Sequence, residues 1–253
     1  MIVGVPKETV PGERRVALVP DLATKLKGAG LEILVEPGAG AAAGFLDPAY
    51  EEKGARLDVD ALGQADVLLK VQPPTVEEAG RVKEGATLIG FLQPYTNAAG
   101  IQALAVRRVT AFAMELMPRI TRAQVMDVLS SQANLAGYRA VIDAAAEFGR
   151  ALPMMMTAAG TVPAARIFIM GVGVAGLQAV ATARRLGAVV TATDVRPAAK
   201  EQVESLGAKF IAVEDEEFRQ AETAGGYAKE MSDAYKAKQA ELVAAHIAKQ
   251  DIV

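Results

Sequence analysis

The chain has 253 residues, 51% of them apolar, with 27 Lys and Arg against 30 Asp and Glu and a net charge of −3. That length allows one large domain or two ordinary ones, each with a core, and the charge argues against a nucleic-acid surface as the main partner. The absence of cysteine excludes disulfides, thiolate metal sites and cysteine nucleophiles.

The first residues read as a short strand and not as a basic leader. No apolar run reaches the roughly 18 residues of a membrane-spanning helix, so the chain is expected to be soluble by itself. Strands are predicted at residues 2–5, 32–35, 67–71, 87–91 and 110–114. Amphipathic segments at 21–28 and 97–106 lie between them. Strand and helix in alternation predict an α/β fold, with a parallel sheet covered on both faces. Residues 122–148 carry helical spacing through Leu129, Ala133, Ala136, Ala140 and Ala144, which predicts one long or kinked helix joining two lobes. A second set of strands then begins at residues 165–170. A helix follows to 186, then a strand at 188–193, a helix at 198–206 and a strand at 210–213. The lobes are expected to be two Rossmann-like, doubly wound units, residues 1–137 and 138–253. Residues 251–253 read as the start of a further strand. A six-stranded Rossmann unit needs more chain than this, so the second lobe reads as truncated.

Gly171, Gly173 and Gly176 fit the G-x-G-x-x-G pattern of a dinucleotide-binding turn, with Val174 and Ala175 opening the helix. The first glycine permits the tight turn and the second lets the backbone approach a pyrophosphate. The third lets helix and strand pack closely. Alone the pattern is weak. Here an apolar strand precedes it, a helix follows, and Asp194 closes the next strand, which is the context the fingerprint demands. Asp194 suits a ribose 2′-hydroxyl and repels a 2′-phosphate, favouring NAD over NADP. Arg196 pulls the other way, but Asp194 occupies the strand end.

Several segments resemble one family. Gly4-Val5-Pro6-Lys7-Glu8 with Glu13-Arg14-Arg15-Val16-Ala17-Leu18-Val19-Pro20 is similar to the N-terminal signature of alanine dehydrogenases and nicotinamide nucleotide transhydrogenases. It departs from that signature at Pro11-Gly12 and Val19. The run from Arg119 to Gln132 looks like the transhydrogenase form, as do those from Pro153 to Thr161 and from Glu222 to Met231. The resemblance implies the NAD(H)-binding component of a proton-translocating transhydrogenase. Such a component has two Rossmann-like lobes, is typically a dimer and continues past residue 253. It works beside an NADP-binding component carried by a membrane part, which places it at the cytoplasmic face of the inner membrane.

Chemistry separates the two branches. An alanine dehydrogenase moves protons as well as a hydride and needs a general acid/base, usually histidine. The position where those relatives carry it looks like Gln93, which cannot titrate. The single histidine, His246, is expected at the surface. A transhydrogenase passes a hydride between two nicotinamides and needs no such base. Arg15 and Lys70 match substrate-binding positions of alanine dehydrogenases and keep that alternative open. A non-catalytic NAD-binding module is the third reading.

Gln124, Asp127 and Ser130 stand three apart on the predicted helix, with Arg119 before it. Spacing alone favours an ordinary solvated face. The resemblance instead implies that these four surround the nicotinamide and its ribose. Gly226 and Tyr227 lie in a long charged stretch, and the resemblance implies a mobile loop there. Tyr227, Met231 and Gln239, with Val195 and Arg196 beside Asp194, are then expected to approach the nucleotide. Met154, Met155 and Met156 are expected in a core at a lobe interface. No metal site is expected.

Overall fold

The runs rich in Ile, Val and Leu near the start of the chain become central strands, buried on both faces as a covered parallel sheet requires. The computed structural model describes residues 1–118, 120–221 and 230–253. The chain divides into two units, Met1–Val128 and Leu129–Val253.

The first unit runs β1 (Ile2–Val5), α1 (Pro20–Gly28), β2 (Glu32–Val35), α2 (Asp47–Glu52), β3 (Arg56–Leu57), α3 (Ala61–Gln64), β4 (Val67–Leu69), α4 (Val76–Arg81), β5 (Thr87–Gly90), α5 (Ala98–Val106) and β6 (Thr110–Ala113). Its six strands are parallel, in the order β3-β2-β1-β4-β5-β6. That is the doubly wound Rossmann order, and it reverses between β1 and β4. Caps set the helix starts. Thr75 and Glu78 form a reciprocal capping box on α4, and Asn97 accepts from the Gly100 amide to start α5. Two cores flank the sheet, one around Ile33, Val35 and Tyr50, the other around Leu68, Val82 and Leu88. Gly4 must lack a side chain, because a Cβ there would sit 2.6 Å from that of Ala65.

The long joining helix is not continuous. A 3₁₀ helix spans Thr121–Met126, and α6 (Val128–Glu147) follows. Asp127, at φ −76° and ψ 85°, leaves the helical region between them. Gln124, Asp127 and Ser130 therefore do not share one continuous helix face.

The second unit continues with an antiparallel hairpin of β7 (Met155–Thr157) and β8 (Gly160–Val162), then β9 (Arg166–Met170), α7 (Val174–Arg185), β10 (Val189–Thr193), α8 (Ala198–Ser205), β11 (Lys209–Phe210), α9 (Glu216–Arg219) and α10 (Asp233–Ile247). Its parallel sheet has the order β11-β10-β9, and Ile252 bridges Ile167 on the free side of β9. Phe168, Val172, Val180, Val190 and Phe210 lead its core. The methionine run is not core. Met154, Met155 and Met156 are 57%, 49% and 73% exposed around the hairpin. Much of the charged stretch after β11 proves helical, in α9 and α10.

His246 is not a surface group either. It is partly buried on α10, its Nε2 lies 2.8 Å from Thr191 Oγ1, and its ring meets Phe168 edge-on at 4.8 Å.

Candidate functional site

The glycine turn of the second unit is built as its sequence requires. Gly171 has φ +92°, a left-handed value that glycine adopts without strain. A Cβ on Gly176 would fall 1.9 Å from the Gly171 carbonyl oxygen, so α7 can start against β9 only with glycine there. At Gly173 a Cβ would meet nothing within 4 Å. That open space lies over the first turn of α7, and Gly173, its N-cap, supplies no side-chain cap. The first amides of a helix have no intrahelical acceptor and carry the positive end of the dipole, so this turn offers donors to an anion.

Asp194 follows β10 and reaches back to this turn. Its Oδ2 accepts from the Val172 amide at 2.7 Å, and its Oδ1 accepts from the Arg196 amide at 2.9 Å. The Arg196 guanidinium also donates to Asp194, and to the Val172 carbonyl at 2.9 Å. The Asp194 side chain is only 8% exposed. Burial by itself pushes its pKa up, but the Arg196 side chain and the two backbone amides outweigh burial and hold it below the usual aspartate value. An ionised acceptor thus stands beside a patch of amide donors, at the carboxyl ends of β9 and β10.

A cavity of about 670 Å³ opens at the same end of the sheet. Met170, Val195, Met231, Tyr235, Gln239 and Val243 are among its lining residues. Gln239 is fixed by accepting from the Val213 amide at 2.9 Å and donating to Thr193 Oγ1 at 3.1 Å. Three residues far apart in sequence, Val195, Met231 and Gln239, therefore come together beside Asp194. The turn and the acid fit a dinucleotide in polarity, and the apolar cavity begins at Met170 and Val195, their sequence neighbours.

The first unit has its own polar cluster outside β1 and β4, where its strand order reverses. Lys70 Nζ is buried, 3.3 Å from Glu8 and 3.5 Å from Glu78. Glu13 pairs with Arg15 at 2.6 Å and accepts from Gln72 at 2.7 Å. The Arg15 side-chain hydrogen bond is the main reason that Glu13 is lowered to about 2.

Gln124 and Asp127 lie in the first unit and Ser130 in the second. Gln124 is exposed, and Asp127 and Ser130 are half-buried. Arg119, Gly226 and Tyr227 lie outside the described residues. No cluster of metal-ligating side chains occurs among the described residues.

Sequence reasoning missed Gly137. A Cβ there would sit 2.0 Å from the carbonyl oxygen of Ala175, so α6 lies against the first turn of α7 at this point. An isolated glycine inside an alanine-rich helical pattern was the available signal.

The profile of the alanine dehydrogenase/PNT N-terminal domain matches residues 4–136, and that of the C-terminal domain matches residues 140–253. The chain is 59% identical over 260 residues to an NAD(P) transhydrogenase subunit alpha protein of Rhodospirillum rubrum, covering 100% of this chain and 68% of that protein. The crystal structure of a transhydrogenase from Sinorhizobium meliloti superposes with a TM-score of 0.90 at 58% identity, covering 100% of this chain and 68% of that one. The alanine dehydrogenase of Bacillus subtilis is 32% identical over 214 residues, covering 81% of this chain and 55% of that enzyme.

Proposed function

Because the chain belongs to the alanine dehydrogenase/PNT family, we propose that it is the NAD(H)-binding component of a proton-translocating transhydrogenase, an oxidoreductase active only with its partner components. The observation that carries the reading is the joining of the Gly171–Gly176 turn to Asp194 through the Val172 amide. Relatives that bear the transhydrogenase name at high identity support it.

When bound, NADH supplies a hydride, which passes to NADP⁺ on the partner. The chain's own residues bind and orient. The amides opening α7 face the pyrophosphate, and Asp194 accepts from the ribose hydroxyls while its charge disfavours a 2′-phosphate. Val195, Met231 and Gln239 give the nucleoside an apolar wall with one amide. Arg119, Gln124, Asp127 and Ser130 are assigned to the nicotinamide end, and Gly226 and Tyr227 to the nucleotide site, on the family pattern. A direct hydride transfer needs two rings held in contact and water kept out, not a titrating base.

No helix among the described residues is long and apolar enough to cross a membrane. In this proposal the membrane-spanning and NADP-binding parts belong to partners, the chain sits peripherally at the cytoplasmic face of the inner membrane, and it works as a homodimer. Proton movement is coupled through those partners. Mixing the chain with an NADP-binding component should give hydride exchange between NADH and an NADP analogue. Absence of exchange with an intact partner would sink the proposal.

One observation favours a second reading, an alanine dehydrogenase. Arg15 and Lys70 both stand in the polar cluster outside β1 and β4. Gln93 speaks against it, since a glutamine supplies no general base. Alanine-dependent NADH formation without any partner would establish it.

A further inference from the structure

Within the second unit, α10 is fastened to the sheet by polar side chains. Its inward stripe runs through Tyr235, Gln239, Val243 and His246, spaced three or four residues apart, and all four are buried or half-buried. The Tyr235 hydroxyl donates to the Val213 carbonyl at 3.1 Å, Gln239 takes the Val213 amide and Thr193 Oγ1, and His246 Nε2 meets Thr191 Oγ1. By contrast, α7 buries Ala179, Val180 and Ala183. Hydrogen bonds on α10 therefore do part of the holding that apolar burial does on α7.

Of these three polar groups only His246 changes charge in the neutral range. Gln239 does not titrate, and burial pushes Tyr235 above its usual value of 10. Thr191 is in register with Phe168 of β9 and Lys209 of β11, so the three side chains point to one face of the sheet. The His246 ring packs on Phe168 and Thr191 of that row. The charged groups that face it are Lys209 on β11 and Lys249 just past α10, and no carboxylate pairs with it among the described residues. A proton on this ring adds a third positive charge beside two others. Burial first, then the two lysines, hold the ring below its ordinary pKa of 6.5. The same helix forms one wall of the cavity beside Val195, through Tyr235, Gln239, Val243 and Ile247, the last directly after His246.

We propose that His246 is a positioning residue: in its neutral form it anchors the end of α10 to Thr191 and sets that wall, so that NADH binding and loss of the His246 proton are linked. The proposal rests on the function proposed above, which seats the nucleoside against this wall. Nucleotide favours the docked helix and hence the neutral ring. Affinity is then complete above about pH 6.5 and declines as pH falls below it.

Four variants test this: His246→Ala, His246→Gln, Thr191→Val and Lys209→Gln. The readouts are the NADH dissociation constant from pH 7.5 to 5.5, and the protection of α10 amides in the free chain, corrected for the intrinsic pH dependence of hydrogen exchange. Wild-type affinity should fall about threefold across that range. His246→Ala and Thr191→Val should lower α10 protection about tenfold at pH 7.5 and weaken NADH binding about fivefold, with little further dependence on pH in His246→Ala. His246→Gln keeps an amide donor for Thr191 and no titrating group. It should bind within about twofold of wild type at pH 7.5 and show no decline on acidification. Lys209→Gln removes one of the opposing charges, so its decline should begin at a higher pH than in wild type.

The same pH profile in wild type and His246→Gln would overturn the proposal. So would wild-type α10 protection in both His246→Ala and Thr191→Val. A wild-type chain that binds no NADH at any pH would instead overturn the proposed function. The anchor is then judged on the free chain alone: α10 protection that does not fall on acidification in wild type would overturn it.

Discussion

The Arg196 guanidinium grips both oxygens of Asp194, with Nε 2.9 Å from Oδ1 and Nη2 3.2 Å from Oδ2. The acid is therefore ionised and aimed before any nucleotide arrives. Replacing Asp194 by Ala should weaken NADH binding by about 1–3 kcal/mol, the cost of a lost polar contact. Titration calorimetry measures this directly, and an unchanged dissociation constant would remove Asp194 from the site. Replacing Arg196 by Ala should let burial dominate and raise the Asp194 pKa. As the solution is acidified, NADH affinity should then begin to fall at a higher pH in the variant than in the wild type.

The glycines of the turn should separate folding from binding. Gly176→Ala drives a Cβ into the Gly171 carbonyl, where only backbone can yield, and should cost about 1–3 kcal/mol of stability. Gly173→Ala meets open space and should leave the melting temperature nearly unchanged. It should still lower NADH affinity about tenfold or more, because in the proposed function the added methyl would stand in the way of the pyrophosphate. Equal loss of stability in the two variants would show that the turn is merely packing.

Glu13 gives the first unit a defined acid sensitivity. Its folded pKa of about 2 lies below the ordinary glutamate value of 4.5. A depressed carboxylate pKa contributes stability that is complete above the unfolded value and is lost as pH falls towards the folded one. Wild-type stability should therefore decline from about pH 4.5 to about pH 2 more steeply than that of Glu13→Gln. Parallel denaturant titrations across that window provide the check.

His246 works in the opposite part of the scale. Burial, with Lys249 and Lys209 nearby, lowers its pKa, so the folded state favours the neutral ring. Its contribution is complete above the unfolded value of about 6.5 and declines as pH falls below it. His246→Gln should flatten the stability profile just below about pH 6.5, whereas a profile identical to wild type would contradict the lowered His246 pKa.

The strands made of unbroken apolar residues could be read directly, because a buried parallel strand needs no alternation. The glycine turn was legible for a related reason: each glycine answers a local backbone demand. The two-residue strand β3 was not, since Arg56 and Leu57 have no pattern apart from their neighbours. Nor was the break at Asp127, because the helix expected over residues 122–148 rested on the spacing of Leu129, Ala133 and Ala136, all of which lie beyond the break. The β7–β8 hairpin was hidden by three consecutive methionines, which look like core in sequence and are exposed in the fold. The Gln93 amide donates to Glu115, 22 positions away, and nothing local announces such a contact.

Gly137 has a consequence for how this sequence can change. Its missing side chain lets the Ala175 carbonyl nest against α6, so position 137 and the nucleotide turn form one mechanical unit although they lie far apart in the chain. Drift at either place is limited by the other. An attempt to recast the turn for a different dinucleotide by editing residues 171–176 and 194–196 alone would leave its outer wall fixed. If the proposed function holds, any redesign of the turn has to keep position 137 without a side chain.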